Sequence, residues 1–164
     1  MEYNDILDEN GNFTGEVVER SVMHDKKLLH NEIVVFIIND KSQILLEKRS
    51  SNKRFHPNKW ALCAGLVISG ESIEEGAIRE IKEELGIEVR VDELKKVNTV
   101  KNENSFTTFF CLKNNLDEKD FIIQEDELSE VKWFDIEEVI ERINNEDESI
   151  IIKKERISIL EQLK

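Results

Sequence analysis

The sequence predicts an α/β domain built in layers, and three observations carry that expectation. A continuous apolar run, Ile33-Val34-Val35-Phe36-Ile37-Ile38, has the composition of a strand buried on both faces. Further short runs rich in β-branched and aromatic residues recur at 43–48, 89–91, 97–100, 106–112 and 131–134. A few separated segments carry helical spacing instead, so strands and helices mix along the chain. Taken in order, residues 6–8 and 17–18 flank Asn10-Gly11, which predicts an N-terminal β-hairpin. Asn39-Asp40-Lys41-Ser42 turns the buried strand into the one at 43–48. A polar, basic loop holding the only proline, Pro57, spans 49–59. Ser72 with Glu75 predicts a helix start by a capping box. Leu85-Gly86 predicts its end, because glycine tolerates the left-handed conformation that closes a helix. Two helices, 136–144 and 151–163, close the chain. No repeat, low-complexity tract or linker interrupts it, so 1–164 reads as a single domain.

Charge narrows the partners. A net charge of −13 argues against a nucleic-acid polymer and against an anionic membrane surface. An anionic small molecule remains open if metal ions neutralise it locally. Cys63 and Cys111 are too few for a disulfide framework and suggest a reducing compartment. No apolar run approaches the roughly 20 residues of a membrane span, and residues 1–11 do not read as a signal peptide. The expected location is the cytoplasm.

The most informative stretch is GLVISGESIEEGAIREIKEELGI at 65–87. Gly65, Glu71, Arg79, Glu80, Glu83, Glu84 and Gly86 fill every specified place of G-x5-E-x7-R-E-U-x-E-E-x-G-U, where U is aliphatic. On a helical wheel with Ile81 at zero, Glu84 falls at about −60°, Glu80 at about −100° and Glu83 at about −160°. Ile73, Ala77 and Ile81 form the apolar stripe, with Ile78 and Leu85 beside it. Three carboxylates thus converge beside a buried stripe, the oxygen-rich arrangement that a hard divalent cation takes. An acid-rich helix is more often a solvated face. Arg79 beside the cluster, Glu71 at the loop–helix junction and Gly65 ahead of it separate this one from that reading.

This pattern resembles the box of the Nudix hydrolase family. The N-terminal segment DENGNFTGEVVERSVMHDKKLLHNEIVVFIIND, LLEKR, residues 53–60 and QEDELSEVKWF extend the likeness to the isopentenyl-diphosphate-isomerase-like branch. The resemblance implies a Nudix-type α/β/α sandwich around a mixed β-sheet, with an N-terminal β-hairpin extension. It implies a pyrophosphohydrolase in which water attacks a phosphorus of a diphosphate, in a nucleoside diphosphate derivative or a related organic diphosphate. Mg²⁺ is the implied cofactor, with Mn²⁺ open as a substitute. Glu80 and Glu84 are the first metal ligands, and Glu83 is a third or holds a metal-bound water. The backbone carbonyl near Ala64 and Gly65 adds an oxygen. Arg79 orients the glutamates, Glu71 pairs with it, and Gly86 ends the helix. Glu127 is the favoured general base, with Glu125 and Glu130 behind it. Arg49, Lys53 and Arg54 form a basic patch for phosphate oxygens, Arg49 foremost because it ends a strand. A homodimer is compatible with the family, though no interface is legible.

Two other classes stay in view. The isomerases of this branch place a cysteine immediately before the box glycine and a histidine after it, and here Ala64 and Leu66 stand there. Cys63 lies one residue early, which on a strand points it to the opposite face. A non-catalytic, nucleotide-sensing domain is the other alternative, and such domains commonly lose box glutamates. Accessory markers leave the substrate open: 101–105 lacks the proline of ADP-ribose hydrolases, and the only tyrosine is Tyr3.

Overall fold

The computed structural model describes residues 1–164. The hairpin forms from β1 (Tyr3–Leu7) and β2 (Phe13–Glu19), paired antiparallel with Asp5 opposite Val17 and Leu7 opposite Phe13. Its turn is tied by Asp8, whose Oδ1 accepts from the backbone N–H groups of Asn10 at 2.8 Å and Asn12 at 3.0 Å. A short helix, α1 (Arg20–Asp25), follows, which the polar sequence there does not announce. The apolar run lies within β3 (His30–Ile38) and turns into β4 (Gln43–Arg49). Two brief strands, β5 (Trp60–Ala61) and β6 (Cys63–Leu66), precede α2 (Ile73–Leu85). Then come β7 (Lys95–Lys101), β8 (Ser105–Lys113), β9 (Leu128–Asp135), α3 (Ile136–Asn144) and α4 (Ile157–Leu163). Seven strands make one sheet in the order β5-β4-β3-β8-β7, with β6 beside β3 and β9 beside β4; β1 and β2 form a second, two-stranded sheet.

Two sequence expectations fail. Residues 89–91 do not form a strand: a 3-10 turn occupies Val91–Glu93, closed by Arg90 N–H donating to Glu93 Oε2 at 2.8 Å. A short β-branched run becomes a strand only where a neighbour pairs with its backbone. The last helix starts at Ile157, not at 151. Ile150 and Ile152 are buried in extended chain, and Ile151 N–H donates to Trp60 O at 3.0 Å.

By proximity the chain divides into two compact units. The first comprises Met1–Val35, Ala64–Glu80 and Val89–Cys111, and the second Phe36–Cys63, Ile81–Glu88 and Leu112–Lys164. In the first, Ile6, Met23 and Leu66 make an apolar cluster with Val18 and Leu28 against it. In the second, α3 buries Ile136, Val139, Ile140 and Ile143, the helical spacing of one face. The register of β4 against β9 runs from Gln43–Asp135 to Arg49–Leu128, which brings the end of β4 to the start of β9. Trp60 meets Phe134 edge-on at 5.0 Å, and Trp133 donates its indole N–H to Leu116 O at 2.9 Å. Both tryptophans pack. No helix is long and apolar enough to cross a membrane.

The first unit also pairs a buried histidine with a half-buried glutamate. His30 is 4% exposed, and its ring nitrogens face two acceptors, Leu28 O at 2.8 Å and Glu32 Oε1 at 3.1 Å. Thr107 Oγ1 donates to Glu32 Oε2 at 3.3 Å. Burial works against the His30 charge, but the hydrogen bonds to Glu32 and then Leu28 outweigh it and hold the pKa above 6.5. Burial likewise opposes the Glu32 charge, and the bond to His30 outweighs it, so the carboxyl sits below 4.5. The pair therefore stabilises the fold between those two limits. The His30 contribution is complete below 6.5 and lost as pH rises through the higher folded value; the Glu32 contribution is lost as pH falls through its lower one. Urea unfolding from pH 6 to 9 should show wild type losing stability relative to Glu32→Gln, and parallel curves would refute the pairing.

Candidate functional site

The capping box forms as expected: Ser72 Oγ accepts from Glu75 N–H at 3.1 Å, and Glu75 Oε2 accepts from Ser72 N–H at 3.2 Å. This fixes where α2 begins and hence where each later carboxylate points. Ala77, Ile81 and Leu85 are fully buried on its inner face. Burial of Ile81 or Leu85 contributes about 1.5–3 kcal/mol. Ile73 and Ile78 are half-buried at the stripe's margin.

In the first unit, Arg79 is the centre of a clamp. Its Nε donates to Glu71 Oε1 at 2.5 Å and its Nη2 to Glu71 Oε2 at 3.2 Å. Nη1 donates to Glu80 Oε1 at 2.9 Å, and Nη2 to the backbone oxygen of Leu66 at 2.8 Å. Glu71 also accepts from Ile68 N–H at 3.0 Å, so it joins the loop to the helix. Burial disfavours the guanidinium charge, but the hydrogen bonds to Glu71 and Glu80 outweigh it and raise the Arg79 pKa further. Arg79 thus touches Glu71, Glu80 and β6 together.

Gly65 meets the same group. A Cβ built on it would overlap the carboxylate of Glu80, so backbone and carboxylate approach as closely as only glycine permits. Gly65→Ala is expected to force Glu80 off Arg79, costing about 1–3 kcal/mol as overpacking does. Turnover should fall with it. Unchanged thermal stability and turnover would show that Glu80 has room to yield.

In the second unit, Glu84 lies on the last turn of α2 and is half-buried. Cys63 Sγ donates to Glu84 Oε2 at 3.7 Å, and Glu47, on β4, is 3% exposed. Ligand atoms of Glu47, Cys63 and Glu84 all lie within 4.8 Å of one another. Burial first, then the charge of Glu47 and a hydrogen bond shared with it, then the charge of Glu127, push the Glu84 carboxyl well above 4.5; Cys63 pulls it down. A cation relieves that crowding of negative groups. Glu83, one residue earlier, is exposed.

Two loop residues of this unit meet Glu127. Lys53 Nζ pairs with Glu127 Oε2, and Ser50 N–H donates to Glu127 O at 2.9 Å. Arg49 turns its Nε to Phe55 O at 3.0 Å, bracing the loop. Arg54 is exposed, with its guanidinium 5.1 Å from the Phe55 ring centre, and makes no contact with Glu127. Gly86 ends α2 at φ 70°. Beyond it the loop is tied back: Ile122 N–H donates to Leu85 O at 3.0 Å and Gln124 N–H to Glu84 O at 3.1 Å.

Sequence reasoning passed over Glu47 and set Cys63 aside. Cys63 does lie opposite the exposed Ala64, as strand alternation requires, but its side carries Glu84. The signal for Glu47 was a carboxylate following Ile44-Leu45-Leu46 in a strand whose residues 44–47 are all buried. Glu80, Glu83 and Glu84 all lie on α2, and carboxylates are the hard oxygen donors that a divalent cation takes.

Comparison with known proteins identifies the family. The NUDIX domain model matches residues 28–153. A Nudix hydrolase of Listeria monocytogenes is 31% identical over 140 residues, covering 85% of this chain and 83% of its own. Isopentenyl-diphosphate Delta-isomerase 2 of Photorhabdus laumondii is 30% identical over 153 residues, 85% of this chain and 81% of that protein. A prenyl-diphosphate phosphatase of Methanosarcina mazei is 28% identical over 136 residues, 81% and 79% of the two chains. A crystal structure from Deinococcus radiodurans shares the fold over 99% of both chains, with a TM-score of 0.77 at 22% identity. With the family model spanning most of its length and the box intact on α2, the chain belongs to the Nudix hydrolase family.

Proposed function

We propose that this chain is a Mg²⁺-dependent pyrophosphohydrolase that splits the diphosphate linkage of a nucleoside diphosphate derivative or related organic diphosphate, with water attacking phosphorus. The observation that carries the reading is the carboxylate set of α2, with Glu80 clamped by Arg79 at 2.9 Å. Mg²⁺, when bound, neutralises the diphosphate oxygens and makes the attacking water more acidic. Glu80, Glu83 and Glu84, all carried by α2, would hold it. Arg79 fixes the Glu80 carboxylate without touching substrate, so its work is positioning, which phosphoryl transfer mainly asks of a protein. Glu127 accepts the proton of the attacking water, and Arg49, Lys53 and Arg54 draw in the phosphate oxygens. The relatives named for isopentenyl and prenyl diphosphates favour testing isoprenoid diphosphates beside nucleotides. Ala64 at the position before Gly65 supplies no proton donor for alkene isomerisation.

The test is turnover of nucleoside triphosphates, nucleotide sugars, ADP-ribose, dinucleotides and isoprenyl diphosphates with Mg²⁺, products identified by mass. Cleavage lost in Glu84→Gln is the expected result. Ligand bound but intact throughout would replace hydrolysis with sensing, and isomerised isopentenyl diphosphate would replace it with isomerase chemistry.

A further inference from the structure

We infer that Cys63 and Glu47 complete a mixed sulfur–oxygen site around Glu84 that takes thiophilic divalent cations such as Zn²⁺ or Co²⁺. The inference rests on the proposed metal site at Glu84 and extends it to which cations that carboxylate serves. Mg²⁺ selects oxygen donors and octahedral geometry, whereas zinc and cobalt accept thiolate together with carboxylate in a tetrahedral site. Tetrahedral zinc holds sulfur at about 2.3 Å and carboxylate oxygen at about 2.1 Å, which sets the two donors about 3.6 Å apart. Cys63 Sγ and Glu84 Oε2 stand 3.7 Å apart. Glu47 brings a third donor within 4.8 Å of both. A water or a substrate oxygen completes the set, as in zinc sites that keep one position open.

Two of the three donors, Glu47 and Cys63, lie outside the box. Glu47 reaches the site from β4, and Cys63 from β6, where strand alternation buries it while Ala64 is exposed. Both are almost fully buried, at 3% and 1% exposure, so neither is an incidental surface group. Binding requires the thiol to lose its proton to solvent, so uptake releases a proton and strengthens as pH rises. The protein would then select metal by donor type: the oxygen-only set for Mg²⁺, the thiolate set for zinc-like ions.

The experiment is Co²⁺ titration of the metal-free protein, followed by absorption spectroscopy. A sulfur-to-cobalt charge-transfer band in the near ultraviolet is expected, with the intense visible bands of a tetrahedral site. Cys63→Ser should erase the charge-transfer band and weaken Co²⁺ binding at least about tenfold. Cys111→Ser should leave the band in place. A band absent from wild type, retained in Cys63→Ser or lost in Cys111→Ser overturns the inference. If Cys63→Ser fails to fold, zinc X-ray absorption of the wild type decides: one sulfur at about 2.3 Å supports the site, and an all-oxygen or nitrogen shell refutes it. Mg²⁺-dependent turnover of the same preparation is scored separately, so a missing sulfur ligand and a missing hydrolase are distinguishable.

Discussion

Glu84→Gln is expected to lower Mg²⁺-dependent turnover by about 10²-fold or more while leaving the protein folded and no less stable. The rate falls because a carboxylate that the cation and the developing phosphoryl charge require becomes a neutral amide. Stability holds for the opposite reason. Burial and the charge of Glu47 raise the folded pKa of Glu84, so in metal-free protein its charge opposes folding as pH climbs above 4.5. Glutamine fills the same space without that charge. Urea unfolding in chelator should therefore place the variant at or above wild type at neutral pH. Added Mg²⁺ should stabilise wild type by mass action and the variant much less. Glu83→Gln should show the rate loss too, and near-normal turnover in both variants would remove the metal assignment.

Arg79→Ala carries the largest expected stability effect. Its guanidinium holds Glu71, Glu80 and the backbone oxygen of Leu66 at once, with its side chain 19% exposed and the two carboxylates 19% and 14%. Truncation leaves two sheltered carboxylates without their shared counter-charge. Breaking such a pair costs about 3–5 kcal/mol when fully buried, and residual exposure places this case at about 3. For a chain of this length that lowers Tm by about 6–12 °C. Arg79→Lys should recover only part of the loss, since an ammonium cannot present the planar fork that serves all three acceptors. A lysine variant matching wild type in Tm and turnover would mean that charge alone suffices.

What was legible in the sequence follows from how local each cause is. The start and end of α2 are written in Ser72, Glu75 and Gly86, residues that act within one helical turn. The 136–144 helix matches because Ile136, Val139, Ile140 and Ile143 keep a helical period over two turns. Ile150-Ile151-Ile152 shows the limit. Three apolar residues in a row fit a helix or a strand, and a partner distant in sequence, the backbone of Trp60, decided for extended chain. Glu47 was hidden for the same reason. Nothing within the strand says that its carboxylate meets Glu84, which lies on another element. Arg79 was readable because the box spacing already encodes Glu71, eight residues earlier at the loop–helix junction.

The terminus of α2 has a further consequence. A Cβ at position 86 would come within 2.6 Å of Ile122 Cβ and 2.9 Å of Ile122 O, while Leu85 O and Glu84 O receive the N–H groups of Ile122 and Gln124. The helix end thus works as a mooring, and the loop ahead of β9 is hitched to the backbone of the very residue proposed to hold metal. Whatever side chain sits a few positions along that loop arrives at a set offset from Glu84. A change of residue at position 127 would therefore alter the charge that acts on Glu84 while leaving this tether, made of backbone atoms, in place.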